Sequence, residues 1–411
     1  MPGAAVTPSM IVRLAREGGL PDRLYLIGPP GVGKTESVME ACRVEGERLG
    51  RRIVELESVS GDKLLGIYRE VREAPSKFHV CARLVAPHVL PEDTGYPRVD
   101  DGSGVVVYHP PLQLAILGVE GVSGILFIDE LSNVARDDQK SLFYALINEK
   151  RFGWSLRLSS LVKIVAAGNP STVSSLAEPL PAPLINRMIV VHVEAPGVDE
   201  WVAYMEEKYG VEWSRLTAAY LERNPGDIYQ PPQSEALEDV NFATPRSWTR
   251  LALELYRVYG EEAARRIASG DPVALALVYG SLGPGVGGRL VSYAKKLSKL
   301  PPVSRLVSNP TLLARLVERE PVDTIVYIIH EMVGLLKAER LEYRDAARVL
   351  AALAKAGRSE EASLALSVAA RAGIQISRIL SELVKMGERE AISRLRTASE
   401  SIARMAKSLG V

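Results

Sequence analysis

The chain has 411 residues, enough for two or three domains at about 150 residues each. It is 47% hydrophobic and 24% charged, which supports a buried core and excludes wholesale disorder. Fifty basic residues balance fifty acidic ones, which argues against a chain that coats nucleic acid through net charge, while a local basic channel stays compatible.

The N-terminus, Met1-Pro2-Gly3-Ala4-Ala5-Val6, has no charged-then-apolar leader pattern. No uncharged apolar run reaches the ~18 residues of a membrane span. Two cysteines, Cys42 and Cys81, are too few for a disulfide framework, and the expectation is a reducing, cytoplasmic setting. Asn and Gln together number about a dozen, a composition that leans toward a thermophilic source.

Along the chain, residues 23–27 read as a short apolar strand. Gly28-Pro29-Pro30-Gly31-Val32-Gly33-Lys34-Thr35 follows and opens a helix over 35–48. This is the pattern G-x-x-x-x-G-K-[ST] in the strand–loop–helix context it needs. Glycines let backbone N–H groups wrap phosphates, and the helix N-terminus adds partial positive charge. Lys34 is expected on the β- and γ-phosphates of ATP, and Thr35 on Mg²⁺. Residues 53–56 form a second strand candidate. Residues 75–111 hold six prolines and the turn-like Asp100-Asp101-Gly102, which predicts a long functional insertion with a hairpin.

Gly124-Ile125-Leu126-Phe127-Ile128-Asp129-Glu130 is an apolar strand ending in two carboxylates. Asp129 suits Mg²⁺, and Glu130 suits activation of water. A helix over 138–150 leads to strands at 162–167 and 188–193. The first of these ends in Gly168-Asn169-Pro170, where an amide can hold the lytic water. Five apolar strands alternating with helices predict a parallel α/β sheet covered on both faces. Arg187, before the last strand, and Arg246, at a helix start, are candidate phosphate-neutralising cations.

Beyond 196 the pattern is helical. Gly280–Gly288 reads as a turn or close helix packing, and Gly357, Gly373 and Gly387 mark helix ends. Trp154, Trp201 and Trp248 read as packing anchors. His330-Glu331 lacks the second histidine of a zinc-protease helix, since position 334 is glycine.

This ordered set resembles the AAA+ ATPases, and within them the MoxR-like group. The carrying stretches are Gly28 to Glu36, Asp129-Glu130-Leu131-Ser132-Asn133-Val134, Ala167-Gly168-Asn169-Pro170, Tyr108-His109-Pro110-Pro111 and Ala243-Thr244-Pro245-Arg246-Ser247-Trp248. They span about residues 20–300. The resemblance implies an AAA+ P-loop core with a five-stranded parallel sheet over 1–195 and an insertion at about 66–111. It further implies a helical lid over 196–300, with a helical extension over 301–411. Residues 28–36 and Asp129 would bind ATP, with Thr35 and Asp129 on Mg²⁺. Glu130 would be the base, Asn169 the sensor-1 residue, Arg187 the arginine finger for a neighbouring subunit, and Arg246 the sensor-2 arginine. The group implies a ring, usually hexameric, that remodels or matures protein clients, often with a partner carrying a von Willebrand A domain.

Two other readings stay open. One is a nucleic-acid translocase or restriction-type motor, which would want basic, aromatic-rich pore loops. The insertion instead mixes Arg69, Arg72, Lys77, Arg83 and Arg98 with Glu70, Glu73, Glu92, Asp93, Asp100 and Asp101. The other is a nucleotide-switched binding protein, which would lack a base or a finger.

Overall fold

Ser123–Asp129 is buried at every position, because covalently distant elements cover both of its faces. It is one strand of a parallel six-stranded sheet in the computed structural model, which describes residues 5–170, 178–231 and 241–398. The chain forms two compact units, Met1–Pro196 and Gly197–Val411.

The first unit runs α1 (Pro8–Glu17), β1 (Leu24–Ile27), α2 (Lys34–Arg48), β2 (Arg52–Glu55), α3 (Gly61–Glu73) and β3 (Phe78–Val85). It continues through β4 (Tyr96–Val99), β5 (Val106–His109), α4 (Leu112–Leu117), β6 (Ser123–Asp129), α5 (Asp137–Glu149) and the short β7 (Arg151–Phe152) and β8 (Leu156–Arg157). It closes with β9 (Val162–Gly168), α6 (Ala182–Ile185) and β10 (Ile189–His192). The sheet order is β10-β1-β9-β6-β3-β2, and every pairing in it is parallel. The fold is α/β, a six-stranded parallel sheet with a phosphate-loop-type turn after β1, followed in the chain by a helical unit.

One correction concerns the stretch 66–111. It is not a single insertion. Phe78–Val85 is a core strand paired with β6 over seven residues, His79 with Ser123 through Val85 with Asp129. Its first five residues are buried, and His79 and Arg83 interrupt the apolar run that would have revealed it. What projects is the antiparallel hairpin β4–β5, exposed at all eight strand positions and turned at Asp100–Val105, where Asp100 Oδ2 accepts from Ser103.

The cysteine expectation is also overturned. Cys42 of α2 and Cys81 of β3 are joined in a disulfide, both sulfurs in the core. His79, two residues before Cys81, is fully buried, and burial pushes it down to about 4, so it is neutral. The nearby Cys42, His79 and Cys81 form a possible metal-ligand trio, but both thiols are spent on the bond. The closed loop spans 39 residues, and its entropy alone makes the bond worth about 4 kcal/mol. Cys42→Ser with Cys81→Ser should therefore lower the denaturant midpoint of the first unit, measured by urea titration. An unmoved midpoint would show that the bond adds nothing.

The second unit is helical: α7 (Val198–Tyr209), α8 (Arg215–Arg223), α9 (Pro245–Tyr259), α10 (Ala263–Ala268), α11 (Pro272–Leu297) and α12 (Val303–Val307). It goes on with α13 (Pro310–Arg319), α14 (Val322–Lys337), α15 (Tyr343–Lys355), α16 (Ser359–Arg371), α17 (Ile376–Lys385) and α18 (Arg389–Ala398). One apolar cluster extends from Val198 to Leu395, so residues on either side of position 300 share a core. From 399 onward the 301–411 stretch lies outside the described residues. Trp201 and Trp248 are buried, Trp201 edge-on to Trp213 and Trp248 stacked on Tyr220. Gly283 kinks α11 at φ 74° ahead of Pro284, which explains the Gly-rich stretch as a bent helix. No helix among the described residues is long and apolar enough to cross a membrane.

Candidate nucleotide-binding site

The sheet register brings three strand ends together. Ile27 of β1 lies beside Gly168 of β9, and Ile128 of β6 lies beside Ala166. In a parallel sheet all C-terminal ends share one edge, where ligands bind in open α/β folds. The loop after β1, Asn169 after β9, and Asp129-Glu130 at the end of β6 therefore meet.

The loop needs its glycines. Gly31 and Gly33 have φ of 78° and 105°, left-handed values that side chains resist. A Cβ on Gly28 would stand 2.3 Å from the carbonyl oxygen of Val193, so that position is closed to any other residue. Gly33 then caps α2, whose first residues are Lys34, Thr35 and Glu36. Pro29, Pro30 and Val32 complete the loop, Val32 being buried.

Lys34 is buried, and its ammonium donates to the carbonyls of Gly28 (2.6 Å) and Pro29 (2.8 Å) and to Oδ1 of Asn169 (3.0 Å). The backbone N–H of Asn169 donates to Oγ of Ser132 at 2.9 Å. Tyr25 packs under this contact; a Cβ on Gly168 would lie 2.3 Å from its hydroxyl. Burial pushes the Tyr25 phenol up to about 12, so it remains a neutral support.

Thr35 Oγ1 donates to Oδ2 of Asp129 at 2.8 Å, and Asp129 is only 5% exposed. A hydroxyl and a carboxylate converging at a phosphate loop are the hard oxygen donors Mg²⁺ prefers, so the residues fit that ion. Glu130 is exposed and takes the left-handed conformation, φ 57° and ψ 32°. That costs a non-glycine residue about 1–2 kcal/mol. A buried carboxylate is thus followed directly by an exposed one. The N–H of Glu130 donates to Oδ1 of Asp129 (3.0 Å), and its own Oε2 accepts from Nδ2 of Asn133 (3.4 Å).

Arg187 makes its bonds elsewhere in the first unit. Arg187 is exposed at the end of α6, and its Nη1 donates to the Tyr144 hydroxyl and to the Pro183 carbonyl (3.2 Å), with the guanidinium 4.9 Å above the Tyr144 ring. Arg246 belongs to the second unit, exposed in the first turn of α9 behind the Thr244 cap. Two features escaped sequence reading. Arg83 of β3 pairs with Asp129, its Nη2 at 2.8 Å from Oδ2. Trp154, expected as a packing anchor, is instead 82% exposed in the β7–β8 turn. That turn leans on the base of the β4–β5 hairpin, Ser155 Oγ donating to the Thr94 carbonyl at 2.7 Å.

No protein-family model matches the chain, and no curated protein matches it. Among solved structures it is similar to the RuvB Holliday junction branch migration motor of Thermotoga maritima, at 14% identity over 92% of this chain and 85% of that one, with a TM-score of 0.26. It is also similar to the ORC2 protein of Aeropyrum pernix, at 14% identity over 92% and 94%, with a TM-score of 0.33. A third match is the ORC1 protein of the same organism in complex with DNA, at 16% identity over 87% and 85%, with a TM-score of 0.30.

Proposed function

We propose that the chain is a ring-forming AAA+ ATPase of the MoxR-like group that couples ATP hydrolysis to remodeling of protein clients. The observation that carries this reading is the meeting of Lys34, Thr35, Asp129, Glu130 and Asn169 at one sheet edge. Loop amides and Lys34 bind the phosphate chain, the ammonium meeting the β- and γ-phosphate oxygens. Thr35 and Asp129 would hold Mg²⁺, which when bound neutralises charge on the phosphates. Glu130 takes the proton of the attacking water, and Asn169, held by Ser132 and Lys34, fixes that water's position. Arg187 is the cation for a neighbouring subunit's nucleotide, and its exposure supports action in trans. Arg246 couples the nucleotide to the helical lid. Some members of the group work with a von Willebrand A domain partner, and such a partner fits this proposal.

The protein-client reading draws on the hairpin. Tyr96, Val99, Val105, Val106, Val107 and Tyr108 are all exposed large apolar residues, and Trp154 stands by the hairpin's base. An apolar, aromatic projection grips polypeptide better than a phosphate backbone, which calls for clustered cations. A reduced, unfolded polypeptide should therefore accelerate ATP turnover, and the double variant Tyr96→Ala, Trp154→Ala should lose that acceleration with basal turnover intact. Acceleration by single-stranded DNA alone would instead make the chain a nucleic-acid motor.

A further inference from the structure

Asp129 is shared more widely than a phosphate-loop site requires. Arg83 lies near the C-terminal end of β3, on the strand paired with β6. Its Nε (3.1 Å) and Nη2 (2.8 Å) both donate to Oδ2 of Asp129. The Thr35 hydroxyl donates to that same oxygen. On its other side the guanidinium meets a second carboxylate, with Nη1 3.7 Å from Oε1 of Glu57, in the helical turn after β2. Arg83 thus bridges a buried carboxylate and a half-exposed one.

We propose that Arg83 is a built-in counter-cation of the divalent-metal site, which balances the buried charge of Asp129 and sets the Mg²⁺ requirement by competing for Oδ2. Glu57 is the carboxylate onto which the guanidinium shifts when a divalent ion takes that oxygen. The inference rests on the nucleotide-site reading above. Its physical basis is simple. Two cations in contact with one carboxylate oxygen repel each other strongly in a partly buried site. A guanidinium has no lone pair to offer a metal and does not lose its proton in proteins. Competition can therefore be relieved only by movement, and Glu57 stands within reach. A guanidinium that merely oriented Asp129 would have the opposite effect, since its removal would loosen a metal ligand.

The test is the Mg²⁺ concentration that half-saturates binding of a fluorescent ATP analogue. Arg83→Gln should lower it about tenfold, in the usual range of coupling between two sites. Arg83→Lys, which keeps the charge, should stay near wild type. Glu57→Gln, a change at a half-exposed side chain that does not threaten folding, should raise it by removing the receiving carboxylate. An unchanged or raised value for Arg83→Gln overturns the inference, as does an unchanged value for Glu57→Gln. Wild-type protein that binds no analogue at any Mg²⁺ concentration overturns the nucleotide site itself, so the two failures are told apart.

Discussion

Glu130→Gln protein is expected to bind ATP as wild type does and to hydrolyse it about 10²–10⁴-fold more slowly, the usual loss for a general base. The amide has the shape of the carboxylate and can still accept from Asn133, so the left-handed turn after β6 keeps its support. What disappears is the negative charge and basicity with which a carboxylate takes the proton of water. Binding by fluorescence titration and turnover by phosphate release separate the two quantities. Turnover equal to wild type would place the base elsewhere, and weakened binding would make Glu130 a ligand rather than a base.

Arg187→Ala should cost about 10³–10⁵ in turnover, the range for removal of an arginine finger. The variant should fold normally. Arg187 is exposed, and its contacts are one tyrosine hydroxyl, one carbonyl and a ring face. An exposed cation–π contact is worth about 0.5–1 kcal/mol, too little to unfold a domain. Thermal melting should hold while phosphate release collapses. A variant that melts early would make Arg187 a structural clamp on Tyr144.

The parts of the site that are contiguous in sequence were legible there. A phosphate loop needs its glycines, lysine and threonine in one run, and the strand before it and the helix after it are both present. Asp129 and Glu130 were visible as carboxylates closing an apolar strand that is buried throughout. Gly357, Gly373 and Gly387 were legible as helix ends because each adopts the left-handed conformation that stops a helix cheaply. The features that depend on register were not. Phe78–Val85 carries a buried histidine and an ion-paired arginine, so its pattern does not read as a core strand, and prolines follow it. Only its pairing with β6 places Arg83 against Asp129, 46 positions away. The same strand brings Cys81 to Cys42 of α2, a contact that no spacing rule for two lone cysteines could supply. Trp154 was misread because a large aromatic residue is usually buried, and its exposure follows from a tight two-strand turn.

The central claim is a site completed between subunits, and mixing measures it most directly. Arg187→Ala and Glu130→Gln chains, each nearly inactive alone, would be combined at fixed total concentration, and turnover followed as their proportion varies, with particle mass read by light scattering in ATP. Assembly to a ring is expected, with turnover in the mixture well above that of either variant alone, because the intact Arg187 of a Glu130→Gln chain completes the site of an Arg187→Ala neighbour. A mixture no more active than its two parents, or full wild-type turnover in particles with the mass of a single chain, would contradict a site completed between subunits.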